Sequence, residues 1–252
     1  MFSPIALPAA FFLTAAIYAS VGFGGGSTYT ALLALSLDDV RLVPILSLSC
    51  NIAVVGLGSY WAVARRAFDW RLAAPFILAS VPFAFIGGLI PLRDDIYLLL
   101  LAISLLAAGA RLLFMHDTPP DAPTRAQNTP RALFIGATLG LLSGMVGIGG
   151  GIFLAPLLHS LYWGHAKAIA AMASFFILVN SLAGLAGQLT KIGSSAVPQI
   201  TDMLFPLLIM VALGAWVGGR FLLERFSHHK LRQITAFLII FVAFRLLWQL
   251  YF

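Results

Sequence analysis

The sequence predicts an all-α polytopic membrane protein, two inverted five-segment repeats with about 8–10 membrane helices and glycine-broken pairs meeting near the midplane. Three observations predict it. The 252 residues are 61% hydrophobic and only 10% charged, with a mean hydropathy of +0.99. The charges fall between long apolar runs. The order of runs and motifs occurs twice along the chain.

The composition excludes several classes. A soluble domain carries about 25% charged residues, and a globule this poor in charge cannot cover its surface. A soluble enzyme, a disordered chain and a nucleic-acid binder are therefore ruled out, despite a formal net charge of +6. The positive residues sit in turns between apolar runs, which reads as membrane topology. The single cysteine, Cys50, allows no intramolecular disulfide and no cysteine-based metal site. No Lys, Arg, Asp or Glu occurs before Asp38, so neither a basic signal sequence nor an arginine-rich transit peptide is expected at the start.

The runs can be taken in order. The first is 4–21, and the glycine cluster Gly22, Gly24, Gly25 and Gly26 follows it. A short run, 27–37, comes next, then 42–64, 72–92 and 96–115. Residues 116–130 hold four prolines and read as a solvated cytoplasmic linker. The series then repeats: 132–146, a second cluster at Gly147, Gly149, Gly150 and Gly151, the short run 152–159, then 168–190, 198–219 and 231–252. Val21-Gly-Phe-Gly-Gly-Gly26 matches Val146-Gly-Ile-Gly-Gly-Gly151. Pro75 with Gly87-Gly88 matches Pro206 with Gly218-Gly219, and Arg111-Leu-Leu-Phe114 matches Arg245-Leu-Leu-Trp248. Residues 1–115 are thus read as one repeat and 131–252 as the other.

Charge sets the orientation. Placing the arginine-rich turns after the third and ninth runs inside, together with the linker and Lys167, leaves only Arg41, Arg93, Lys191 and Arg245 outside. The two halves then run in opposite directions, each short run pairs with the one before it as a hairpin, and both termini lie outside. The hairpins either cross twice or re-enter at the glycines.

Four glycines in five positions break a helix. In hydrocarbon the freed N–H groups need partners, so such a break survives only inside protein or beside water. Small residues also let membrane helices approach closely, which is the packing role expected of Gly87-Gly88 and Gly218-Gly219. At the clusters, the short helix after each break points its positive end into the membrane, where it favours an anion. No Lys or Arg lies near the middle of any run, so the anion would be held by backbone and neutral side chains. A nucleotide loop fails for want of a preceding strand or a following Lys-Ser/Thr. Asn51 and Asn180 lie near the centres of their runs, and an amide there needs a partner. It serves either as glue between helices or as site lining.

The candidate substrate-binding residues are therefore Gly24, Gly25, Gly26, Ser27, Thr28, Asn51, Gly149, Gly150, Gly151, Ser174 and Asn180. Asp202 and His159 are candidate coupling groups, and Arg111 is expected to snorkel to the interface. No catalytic residue, metal site or cofactor is expected. Leu141-Leu142-Ser143-Gly144 lacks the first glycine of an intramembrane serine protease motif, and no paired nucleophile and base occurs. The expected partners are a small anionic sulfur compound and the bilayer, with monomer and homodimer both open.

The two Val-Gly-x-Gly-Gly-Gly motifs, each followed by a short apolar run, resemble those of the TauE/SafE sulfite and organosulfonate exporters. So do the Ala168…Ser174…Asn180-Ser181…Gly184 run and the Asp69-Trp70-Arg71 turn. The resemblance covers nearly the whole chain. It implies bacterial inner-membrane export of sulfite, sulfoacetate or a related anion by alternating access, with an anion channel as the alternative. Asn51 and Asn180 do not align at a fixed offset between the halves, so the third segment departs from strict symmetry.

Overall fold

Each apolar run becomes one helix in the computed structural model, which describes residues 6–20, 24–64, 68–114, 124–192, 196–218, 220 and 228–251. The order is α1 (Ala6–Ser20), α2 (Gly26–Ser36), α3 (Leu42–Ala64), α4 (Trp70–Leu89), α5 (Asp94–Leu113), α6 (Thr129–Val146), α7 (Gly151–Leu161), α8 (Ala166–Lys191), α9 (Val197–Val217) and α10 (His228–Tyr251). No strand occurs among the described residues. Six helices, α3, α4, α5, α6, α8 and α9, are long and apolar enough to cross a bilayer. By contrast α2 and α7 have 11 residues each. That is about 16 Å of helix against a hydrocarbon core of about 30 Å, so each reaches only half-way.

Local chemistry sets the helix starts. The Asp69 carboxylate accepts from the N–H groups of Arg71 and Leu72 at 2.9 and 3.3 Å, capping α4. Asn128 caps α6 by accepting from Arg131 N at 3.0 Å. Here the structure differs slightly from the sequence reading, because Thr129 and Pro130 are already helical. A proline in the first turn gives up only an N–H that the helix leaves unused, so it opens the helix instead of ending the linker.

Packing follows the glycines. Lipid tails are as apolar as leucine, so close backbone approach, not burial from water, holds membrane helices together. On α6, Gly136, Gly140 and Gly144 lie against the backbone of Phe76, Ser80 and Ala84 on α4. The numbers rise together, so α4 and α6 run parallel. Gly214 and Gly218 of α9 meet Phe12 and Ala16 of α1 in the same way. Gly87 and Gly88 pack on α6 and α8, the packing role read from the sequence, while Gly219 lies outside the described residues.

The pairing crosses the two halves. Helix α4 packs on α6 and α8, just as α9 packs on α1 and α3. In the middle α3 lies against α8, and α5 against α10. Each short helix rests on the long helix after it, α2 on α3 and α7 on α8. Phe134, Phe205, Trp216, Phe241 and Trp248 are exposed on the outside, an apolar surface suited to lipid.

Candidate functional site

The geometry begins at two glycines in the left-handed region. Gly25 (φ 78°) precedes α2 and Gly150 (φ 77°) precedes α7. A side chain at either φ would be strained, so only glycine turns the chain this sharply into a helix. The first donors bonded within these helices are Thr28 N, to Gly25 O at 3.0 Å, and Phe153 N, to Gly150 O at 3.2 Å. The N–H groups of Gly26 and Ser27, and of Gly151 and Ile152, come before them and point out of the helix ends. Gly24 to Ala34 and Gly147 to Gly151 are buried. Val21, Gly22 and Phe23 lie outside the described residues.

The two breaks meet. Asn51 on α3 donates Nδ2 to Ile148 O at 3.2 Å, so the first half holds the second half's break. A β-carbon on Gly24 would lie 2.7 Å from Asn51 Oδ1, and one on Gly149 would lie 3.0 Å from Asn51 Nδ2 and 3.1 Å from Ser181 Oγ. Gly26 faces both the Asn51 amide and Ile148 O. Ile177 on α8 packs against Gly24, Gly149 and Gly151. A hydroxyl pair adds a second link. Thr30 Oγ1 lies 2.7 Å from Gly26 O, 3.2 Å from Gly147 O and 2.7 Å from Ser47 Oγ. Ser47 Oγ is 3.2 Å from Gly26 O, so the two hydroxyl hydrogens can serve carbonyls of both breaks.

Asn51 Oδ1, Ser181 Oγ, Ser143 Oγ and Tyr29 OH, on side chains that lie against the glycine breaks, have no partner within the described protein, and neither has Asn180 Oδ1 further along α8. Asn180 Nδ2 donates to Phe176 O at 2.9 Å. Both amides thus bond a backbone carbonyl through nitrogen and leave the oxygen over; flipping either would set two oxygens against each other. Buried polar atoms without partners are uncommon and cost free energy, so their concentration beside two helix N-termini marks the candidate site.

The other residues read from the sequence lie as follows. Thr28 Oγ1 is 2.9 Å and Ser27 Oγ 3.4 Å from Tyr18 OH, so these hydroxyls face α1. Ser174 is buried on α8, six positions before Asn180. His159 is half-buried in the last turn of α7, about 12 Å along the axis from Gly151. Asp202 is exposed in the second turn of α9. The structure brings the glycines, Asn51 and Ser181 together and leaves Asp202 and His159 apart from them. Arg111, expected at the interface, donates to Ser160 Oγ and, at 3.4 Å, to Pro156 O on α7. No group of three potential metal-ligating side chains occurs among the described residues.

Ser47 is absent from the residues read as lining the site, and Ser143 and Ser181 enter the sequence reading only within motifs. Ser47 sits one turn before Asn51 on the same helix face, a spacing that could have found it. Ser49, two positions on, donates instead to Ile45 O of its own helix at 2.8 Å.

The sulfite exporter TauE/SafE family model matches residues 7–246. The chain belongs to this family. The "probable membrane transporter protein y4hK" of Sinorhizobium fredii is 32% identical over 97% of the chain and 98% of that protein. A "probable membrane transporter protein" of Xylella fastidiosa is 28% identical over 90% of the chain and 88% of its own length. YunE of Bacillus subtilis, described in the same words, is 24% identical over 79% of the chain and 80% of that protein. No solved structure matches. With six helices able to cross a bilayer, this TauE/SafE member is a multi-pass membrane protein.

Proposed function

We propose that this chain is a secondary transporter that exports a small sulfur-containing anion, such as sulfite, sulfoacetate or a related organosulfonate, across the bacterial inner membrane by alternating access. One observation carries the reading. Two helix N-termini whose first N–H groups have no partner among the described residues meet beside polar side-chain atoms likewise without one, and no described basic residue is in the contact. Helix N-termini bind oxyanions through N–H groups and the dipole. Ser181 adds a hydroxyl donor. The Asn51 and Asn180 oxygens accept, which suits a ligand or its water carrying a hydrogen. The family's description as sulfite exporters supports the substrate class.

The two halves, 1–115 and 131–252, would be inverted repeats joined by a cytoplasmic linker at 116–130, with both termini outside. Two features support this. The strongest pairings between helices survive exchange of the halves. Lys191, at the end of α8, donates to Ile90 O, just after α4, so α9 starts where α4 stops. Equivalent helices then run in opposite directions, the arrangement that lets one half rock against the other.

The test is flux in proteoliposomes together with thermal unfolding against sulfite, sulfoacetate, taurine, sulfate and oxalate. A ligand of the folded state raises the unfolding temperature. Saturable flux of one sulfur anion, coupled to a gradient, supports the transporter. Flux that does not saturate and follows voltage alone points to a channel. No shift and no flux with any sulfur anion overturns the substrate class.

A further inference from the structure

Beyond the central cluster, a cavity of about 350 Å³ opens where α8 ends and α3 begins. That volume falls within the range of small-molecule sites, roughly 300–1,000 Å³. Its wall carries three charges, Asp39, Arg41 and Lys191. Asp39 accepts from Arg41 Nε and Nη2 at 2.9 Å each, so these two charges offset one another. Lys191 has no carboxylate within ion-pair distance among the described residues. Its ammonium donates to Ile90 O at 3.0 Å and keeps two N–H bonds for a ligand. The wall is left with one net positive charge between apolar surfaces, which focus its field.

The floor of this cavity is the back of the second glycine break. Tyr97 lines it and donates to Val146 O at 3.0 Å. Gln188 lines it and donates to Gly144 O at 2.7 Å. Pro44 lines it and packs on Gly147. One residue further on, Ile148 O is held by Asn51 in the central cluster. A single turn of chain, 146–148, separates the cavity from that cluster.

We propose that this cavity is a second anion-binding station, a vestibule in which Lys191, assisted by Arg41, holds a small oxyanion against the outer face of the 146–148 turn. The proposal rests on the oxyanion reading of the central cluster for its place on the transport path. Its ligand chemistry, a compact oxyanion group, is shared by a free sulfur anion and by a lipid headgroup phosphate. The free anion is favoured because the positive groups line a recess whose floor is the glycine break, not the apolar outer surface.

The test uses the full chain in neutral phosphatidylcholine nanodiscs with Cys50→Ala. Met145→Cys on the floor serves as reporter, and Ile192→Cys serves as a second reporter should the first fold poorly; both native residues line the cavity. Reaction rates are compared for an anionic and a cationic methanethiosulfonate of similar size. The anionic reagent should be favoured about threefold to tenfold, and the preference should fall to near unity when Lys191→Gln is added, which leaves Asp39 and Arg41 to cancel and makes the wall charge-neutral. Sulfate or methanesulfonate should slow the reaction in the parent and not in the charge-neutral variant. Absence of a charge preference, or no protection by either anion, overturns the proposal. Protection that needs phosphatidylglycerol in the nanodisc and ignores sulfate assigns the site to lipid and also overturns it. Thermal stabilisation by sulfite separates the two readings. If it survives in the charge-neutral variant, the central cluster binds independently. If it is missing in both proteins while sulfate still protects the reporter, the central reading fails and the vestibule stands.

Discussion

Gly26→Ala gives the sharpest test of the meeting between the two breaks. Gly26 is helical, so backbone strain is not the cost. Its added methyl would press on the Asn51 amide and the Ile148 carbonyl, closer than non-bonded atoms sit. These two groups form the 3.2 Å hydrogen bond between the halves. Overpacking costs about 1–3 kcal/mol. Leaving the buried Ile148 carbonyl without its donor costs about 1–3 kcal/mol more. The total is about 2–6 kcal/mol, and at about 2–4 °C per kcal/mol the unfolding temperature should fall by roughly 4 °C or more. Fluorescence-detected unfolding in detergent measures it, with proteoliposome flux alongside. Gly56→Ala is the control, since a β-carbon there meets nothing within 4 Å. An alanine in that helix interior should stabilise by about 0.5–1 kcal/mol. Parental stability and flux in Gly26→Ala, with the control behaving as stated, would refute the contact.

Gly150→Val forces a β-branched residue to φ 77° against the Phe176 ring, so flux and sulfite-induced stabilisation should vanish while membrane insertion persists. Ser181→Ala removes a hydroxyl with no partner among the described residues and should leave the unfolding temperature unchanged, whereas Asn180→Ala should weaken anion binding by about 1–3 kcal/mol; unchanged affinity in both variants argues against the cluster. The Arg41 hydrogen bonds hold the Asp39 carboxyl below the usual range, so its stabilising contribution is complete above ordinary carboxylate pKa values and is lost as pH falls through the lowered one. Asp39→Asn should therefore lower stability by at most about 1 kcal/mol at neutral pH, and the difference should close in acid; a gap that widens in acid contradicts the pairing. Cysteines placed in 116–130 on a Cys50→Ala background should resist impermeant reagents added to the periplasmic side, and labelling there would reverse the orientation.

The helices were legible because charge bounds them. Asp38 to Arg41, Asp69 to Arg71 and Arg93 to Asp95 each end one run and open another, and helix boundaries fall at these residues. Capping accounts for the few shifts, as at Thr129 and Pro130. The glycine breaks were legible because no helix tolerates four glycines in five positions. The pairing of α4 with α6 was not, although Gly136, Gly140 and Gly144 lie at four-residue spacing. That stripe says a backbone comes close but not whose. The chemistry of the asparagines was also hidden. Depth marked Asn51 and Asn180 as polar groups needing partners, but only the positions of Ile148 O and Phe176 O decide which amide atom is left over. Ser47 looked ordinary because hydroxyls commonly bond their own helix. Thr30 does so, to Gly26 O, and also reaches Gly147 O in the other half.

That crossing of halves bears on how the centre can move. Asn51 of the first half holds Ile148 of the second, and Thr30 of the first half reaches Gly147 of the second. Neither break can shift alone without stretching a bond at the other. The long helices are tied likewise, α4 to α6 and α9 to α1, through backbone contacts too close for any side chain larger than hydrogen. Such seams resist shear but allow packed pairs to turn as units. A motion that widens the cavity beside Lys191 must lift the 146–148 turn, and so must strain the Asn51 and Thr30 bonds. These are two neutral hydrogen bonds, each worth about 0.5–1.5 kcal/mol net. An oxyanion on the freed N–H groups of Gly26, Ser27, Gly151 and Ile152 would form charge-assisted bonds, roughly twice as strong as neutral ones. The balance is close enough for a ligand's presence to decide which set of bonds is made, as coupling between binding and movement requires.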